Sequence, residues 1–332
     1  SHKLSHGKKQ YAIKKLETSI KEYKRKRIIR HFSYAAAIIV ILFSLVLHFQ
    51  KKTDHDNRDR CTTDYLTGRQ MDSKDILFIT GQKTTSFQNN VDIAIEGDKK
   101  AQVISSQEEE SKEIYIEQSI MNKLIVPHGK RSKIILSDGT IVWLNSGSTL
   151  EFPSDFSKNI REVYLSGEMY FEVAPDAKRP FIVHTSDYHI RVHGTEFNVN
   201  TYNQNSSSVV LVSGSISLAS DETDRTMLKP NQQALFSGDT GKLDIQEVDV
   251  TPYISWKDGY LTFEETPAIE VLKQIERYYN LSLNYEDGIS FKGLTCTGKI
   301  ILSENLDQVM TTFSVLSSTK YKREDRLIYL YK

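Results

Sequence analysis

The chain has 332 residues, room for about two domains beyond a membrane anchor, and its 43 basic and 43 acidic side chains give a formal net charge of zero. The zero hides an asymmetry: residues 1–31 hold eleven Lys/Arg against Glu17 and Glu22, so the remainder of the chain is acidic by nine charges. That acidity argues against nucleic acid as a partner of the body. The two cysteines, Cys61 and Cys296, stand far apart, and nothing in the sequence requires them to bond.

Residues 8–30 read as a basic helix, with Ile13, Leu16, Ile20 and Tyr23 at helical spacing. From Phe32 to Leu47 the sequence FSYAAAIIVILFSLVL is apolar without a charge. At 1.5 Å per residue it spans roughly 24 Å, and the flanking residues Ile28, Ile29, His48 and Phe49 complete a crossing of the ~30 Å hydrocarbon core. Only a helix satisfies its own backbone there. The cluster KRKRIIR, Lys24–Arg30, abuts the run, so the positive-inside bias predicts a cytoplasmic segment 1–31, a transmembrane helix 32–49, and everything beyond on the far side. No small-residue cleavage site follows the apolar run. Residues 51–74 are too polar to offset the entropy of ordering, and 50–120 is expected to be a linker with a few strands, at Ile76–Ile79 and Val91–Ile95.

Residues 121–252 change character. Ile134–Leu136 and Ile141–Trp143 flank Ser137-Asp138-Gly139-Thr140, which predicts a hairpin with a type I′ turn. Glu162–Leu165, Met169–Val173, Pro180–His184, Tyr188–Val192, Glu196–Tyr202, Ser208–Val212, Ser215–Leu218 and Gln233–Phe236 continue as short strands, with Gly167-Glu168 and Pro230-Asn231 as turns. The prediction is an all-β domain, either a sandwich or a solenoid of stacked short strands.

Residues 253–332 are predicted to be a small α+β domain in the order β-α-β-β-α-β-β. Tyr260–Phe263 is its first strand, and Thr266 with Pro267 opens a helix whose buried face is Ile269, Leu272, Ile275 and Tyr279. Strands Leu281–Tyr285 and Leu294–Ile300 follow. Ser303 starts a second helix with Leu306, Val309, Met310, Phe313 and Leu316 inward, and Lys320–Arg323 and Leu327–Tyr331 close the domain. The fold class is thus mainly β, with one N-terminal transmembrane helix and a C-terminal α+β domain.

No arrangement of residues marks an active site, a cofactor or a metal centre. His189 and His193 share a strand face, His184 and His189 do not by period, and no acidic or cysteine partner stands at metal-ligand spacing, so the three read as solvent-facing histidines. Ser146-Gly147-Ser148 lacks the flanking glycines of a nucleophile elbow and reads as a turn. Trp143 and Trp256 read as core or interdomain anchors, with a glycan-stacking platform, and hence a membrane-tethered glycan-binding module, as the alternative.

The phrases VPHGKRSKIILSDGTIVWLNSGSTLEFPSDF (Val126–Phe156), REVYLSGEMYFEVAPDAKRPFIVHT (Arg161–Thr185), VHGTEFNVNTY (Val192–Tyr202), LVSGSISL (Leu211–Leu218), LKPNQQALF (Leu228–Phe236) and SWKDGYLTFEETPAIEVLKQIERYYN (Ser255–Asn280) resemble, in order, the FecR family of single-span anti-sigma factors. The resemblance implies a non-enzymatic protein of the Gram-negative inner membrane with its bulk in the periplasm. It implies a cytoplasmic segment that binds an extracytoplasmic-function sigma factor, residues 1–31 being the end of a truncated sigma-binding region. It also implies a C-terminal domain that meets the signalling domain of a TonB-dependent outer-membrane receptor, with a regulatory protease as a further partner. That C-terminal domain is similar to the short module shared by secretins and TonB-dependent receptors. Leu327, Ile328, Tyr329, Leu330 and Tyr331 are the candidate receptor-contact edge strand, or equally an interior strand.

Overall fold

The computed structural model describes residues 73–96, 100–105, 112–116, 120–203, 206–219, 225–238, 240–286, 291–302 and 305–331. The basic helix, the apolar run 32–47 and Cys61 lie outside the described residues. Among the described residues no helix is long and apolar enough to cross a membrane. The chain divides into a unit of residues 1–67 and a unit of 68–332, and all described residues belong to the second.

Strands come first and dominate: β1 (Ile76–Thr80), β2 (Lys83–Phe87), β3 (Val91–Glu96), β4 (Lys100–Ser105), β5 (Lys112–Tyr115), β6 (Met121–Val126), β7 (Ser132–Ile135), β8 (Ile141–Leu144), β9 (Ser148–Pro153) and β10 (Arg161–Ser166). They continue with β11 (Glu168–Glu172), β12 (Phe181–His184), β13 (His189–Val192), β14 (Glu196–Asn203), β15 (Ser206–Ser213), β16 (Ile216–Ala219), β17 (Arg225–Leu228), β18 (Gln232–Ser237) and β19 (Lys242–Glu247). Two sheets result, nine strands in the order β17-β16-β13-β12-β10-β9-β6-β1-β2 and ten in the order β19-β18-β15-β14-β11-β8-β7-β3-β4-β5. From β7 onward the chain deposits one or two strands on one sheet, then crosses to the other. The body is therefore a sandwich wound as a solenoid, and both halves of the expectation apply.

Alternation drives this arrangement. In β10 Arg161, Val163 and Leu165 are buried while Glu162, Tyr164 and Ser166 are less so, the period-two pattern of a strand with one face on a core. The inward rows of both sheets join one cluster. Within it Phe171 stacks on Phe197 with centroids 5.0 Å apart and meets Phe181 of the opposite sheet at 6.3 Å. Each such side chain contributes about 1.5–3 kcal/mol by leaving water.

Two expectations are corrected here. The strands expected at Ile76–Ile79 and Val91–Ile95 are β1 and β3, but the segment 76–115 is part of the body and not a linker: β1 and β2 join one sheet and β3, β4 and β5 the other. Its alternating apolar residues Ile76, Phe78, Val91, Ile93, Val103 and Ile114 enter the core, and the polar insertions between them mask the pattern. The turn at Asp138 is not type I′, because only Gly139 has positive φ, at 85°. The Gly139 N–H donates to the Leu136 carbonyl and Thr140 closes back onto Leu136, the form of a hairpin with a bulge glycine. Asp138 instead uses its carboxylate, accepting from the Thr140 N–H at 3.0 Å and from Arg161 at 2.7 Å.

Arg161 is fully buried, and its guanidinium also donates to the carbonyls of Ala174 and Arg179 and lies 5.4 Å from the Phe181 ring. This buried pair ties the β7–β8 turn of one sheet to β10 of the other.

The C-terminal domain has the expected order: β20 (Tyr260–Pro267), α1 (Ala268–Tyr279), β21 (Ser282–Tyr285), β22 (Thr295–Ile301), α2 (Leu306–Ser317), β23 (Lys320–Glu324) and β24 (Leu327–Tyr331). β20 pairs with β22, and β24 lies between β21 and β23. Thr266 does not cap α1: β20 runs on through Pro267, with a bulge at which Glu265 has φ of 46°, and the Thr266 hydroxyl bonds the Glu264 carbonyl. α1 buries Val271, Leu272, Ile275 and Tyr278, leaving Tyr279 half-buried. α2 begins at Leu306, where the Asp307 N–H donates to the Asn305 side chain, and it buries Ser317 in place of Leu316.

Candidate functional site

The middle of the outer face of the ten-stranded sheet is covered by the C-terminal domain. Trp143 on β8, Tyr170 on β11 and Val212 on β15 pack into the same apolar cluster as Trp256, Leu261, Leu272 and Phe313 of the C-terminal domain. A strand covered on both faces reads as a continuous apolar run, and Met169-Tyr170-Phe171, all buried, is such a run.

Between the two apolar patches lies a polar joint. Glu168, at the start of β11, is the hub: Asn145 donates to it at 2.8 Å, Asn198 at 3.1 Å and Arg277 of α1 at 3.3 Å. Its side chain is 7% exposed, so three donors offset the cost of burying the carboxylate. The Arg277 guanidinium also stands 4.2 Å from the centre of the Tyr202 ring, whose hydroxyl donates to the Ser146 carbonyl. Burial pushes the Tyr202 phenol above its usual range, so it remains a donor.

The last turn of α1 supplies two more contacts. The Tyr278 carbonyl accepts from the Gly129 N–H at 2.7 Å and from the Ser146 hydroxyl at 2.5 Å. The Arg277 carbonyl faces His128 Nδ1 at 3.0 Å, which places the ring proton on Nδ1. Burial is the main cause that holds His128 below the ordinary histidine range, and the nearby charges of Arg326 and Arg277 act the same way. On the far side Trp256 Nε1 donates to Asn198 at 3.2 Å and its carbonyl accepts from Arg131 at 2.6 Å.

The tryptophans are thus interdomain anchors. Trp256 is 2% exposed, while Trp143 is half-buried with the Lys133 and Lys257 ammonium groups 5.3 and 5.7 Å from its ring centre. Neither offers an open face for a sugar. Ser146-Gly147 is a turn that leads into β9 at Ser148, and the Ser146 hydroxyl is part of the joint.

Leu327, Ile328, Tyr329, Leu330 and Tyr331 do not form an edge. β24 pairs with β21 on one side and β23 on the other, so both of its backbone edges are taken, and Ile328 and Leu330 are fully buried. The edges of that sheet belong to β21 and β23. His184 and His189 lie on different faces by spacing within one strand, yet they stand opposite each other in the β12–β13 hairpin. Glu168, Arg277, Tyr202 and His128 were not legible as a site. The available signal was the apolar run at 169–171 together with an aromatic outer row.

Comparison with known proteins gives the class to which this two-domain fold belongs, that of anti-sigma regulators. A crystal structure of a candidate anti-sigma factor from Parabacteroides distasonis at 2.50 Å resolution matches with 28% identity and a TM-score of 0.54 over 64% of this chain and 99% of the other. A second, at 1.65 Å, matches with 29% identity and the same TM-score over 63% and 98%. No curated protein sequence matches. The family described as FecR protein matches residues 122–217, and that described as FecR, C-terminal matches 260–330. The chain belongs to the FecR family of anti-sigma factors.

Proposed function

We propose that this protein is a single-span regulator of the inner membrane that relays a signal from the signalling domain of a TonB-dependent outer-membrane receptor to an extracytoplasmic-function sigma factor. In this reading the run 32–47 crosses the membrane, the basic segment before it faces the sigma factor, and the described body stands in the periplasm. A regulatory protease that releases the sigma factor completes the relay. The observation that carries the reading is the joint itself: Arg277 on a small α+β domain is held by a buried carboxylate of a β body, so a partner that engages the small domain acts on a structure rigidly tied to the rest. The family membership and the charge asymmetry about the apolar run support it.

The test is transcription of the transporter genes under the cognate sigma factor after deletion of residues 253–332. Loss of ligand-dependent induction is expected, and unchanged induction would overturn the relay. Capture of an outer-membrane receptor by the 51–332 fragment is the expected companion result.

A further inference from the structure

On the outer face of the nine-stranded sheet, away from the interdomain joint, His184 and His189 are direct cross-strand partners with their Nδ1 atoms 2.9 Å apart. Glu162 Oε1 lies 3.4 Å from His184 Nε2, and the Tyr164 ring stacks on the His184 ring at 4.5 Å. The carboxylate holds the His184 proton on Nε2, so its Nδ1 carries a lone pair aimed at His189. A carboxylate behind an imidazole is the arrangement that orients metal-binding histidines. Glu162 and Tyr164 fix one ring, while the exposed His189 is free to adapt.

We propose that this pair binds a divalent transition cation, copper(II) above all. Binding exchanges one particle for another: the Nδ1 proton shared between the rings leaves to water, and the cation takes both lone pairs. With metal–nitrogen bonds of about 2.0–2.1 Å, a 2.9 Å separation subtends an angle of about 90° at the metal. That is the right angle of a tetragonal site, preferred by copper(II) and nickel(II), and it is too narrow for tetrahedral zinc. Waters complete the coordination. Arg191, two residues along the same strand face, opposes the added charge, and Glu162 offsets it.

Copper(II) is titrated into the full chain and its H184A, H189A, H193A and E162Q variants, with calorimetry and electron paramagnetic resonance as readouts and circular dichroism to confirm folding. The parent and H193A are expected to bind one equivalent more than H184A or H189A, and that equivalent gives an axial signal with nitrogen coupling. E162Q keeps the equivalent but binds it about tenfold more weakly, since both ligand nitrogens remain while their support is lost. Equal copper stoichiometry across the parent, H184A and H189A would overturn the site, and zinc binding as tight as copper would overturn its right-angle geometry.

Discussion

Arg277 and Glu168 are 109 residues apart in sequence and meet at 3.3 Å across the joint between the C-terminal domain and the β body. The two partners are unequally dependent on each other. Glu168 keeps two amide donors if Arg277 is lost, whereas Arg277 keeps only the Tyr202 ring and solvent if Glu168 is lost. Glu168→Ala is expected to cost about 3–5 kcal/mol, because it strands the Asn145 and Asn198 amides in a buried site. Arg277→Ala is expected to cost about 1–3 kcal/mol. Denaturant unfolding of both single variants and the double variant measures this, and a cycle with no coupling energy would show that the two groups do not act together.

The pair inside the β body carries a penalty of similar size when broken. Arg161→Ala leaves the Asp138 carboxylate, 3% exposed, with the Thr140 donors but no counter-charge, an expected loss of about 3–5 kcal/mol. Replacing both partners by apolar residues of similar volume is expected to restore much of that, since no stranded charge remains. Thermal unfolding of R161A beside R161M/D138L distinguishes the buried-charge account from a simple loss of packing.

Gly147 sits at φ of 72°, and a Cβ placed there would lie 2.7 Å from His128 Cε1. Gly147→Ala therefore meets two costs, the left-handed backbone and displacement of a ring that bonds α1. An expected loss of about 1–3 kcal/mol follows. H128A in the same chain removes the clash, so G147A/H128A is expected to be more stable than the sum of its single changes predicts.

His128 also makes the joint sensitive to acid. Its folded pKa lies below the ordinary 6.5, mainly through burial, so as pH falls the unfolded chain takes up the proton first. Its neutral form leaves stability intact above about pH 6.5. Below that value stability is lost at up to about 1.4 kcal/mol per pH unit, until the folded ring also titrates. Comparison of the parent with H128Q in denaturant between pH 7.5 and 5.5 isolates this slope, and identical slopes would remove His128 as its source.

Much of this architecture was legible. The order of the C-terminal domain, the hairpin at Asp138 and the anchoring role of Trp143 and Trp256 all follow from periodicity and turn residues. What escaped reading was tertiary in origin. The strands of 76–115 are separated by polar insertions, so local composition hid their place in the sheets. Leu327–Tyr331 alternates as an edge strand or an inner strand would, and only the parallel pairing with β21 decides between them. Glu168 looked like a turn residue because its three donors come from Asn145, Asn198 and Arg277, each far away along the chain.

Most of the grip on the C-terminal domain comes from residues 128–146, 168, 198 and 202, in the middle of the β body, and little from β16 to β19, which precede that domain in sequence. A mechanical load applied to the small domain is thus delivered halfway along the solenoid, past its last turns. A tug is felt first where the two sheets are already clamped together.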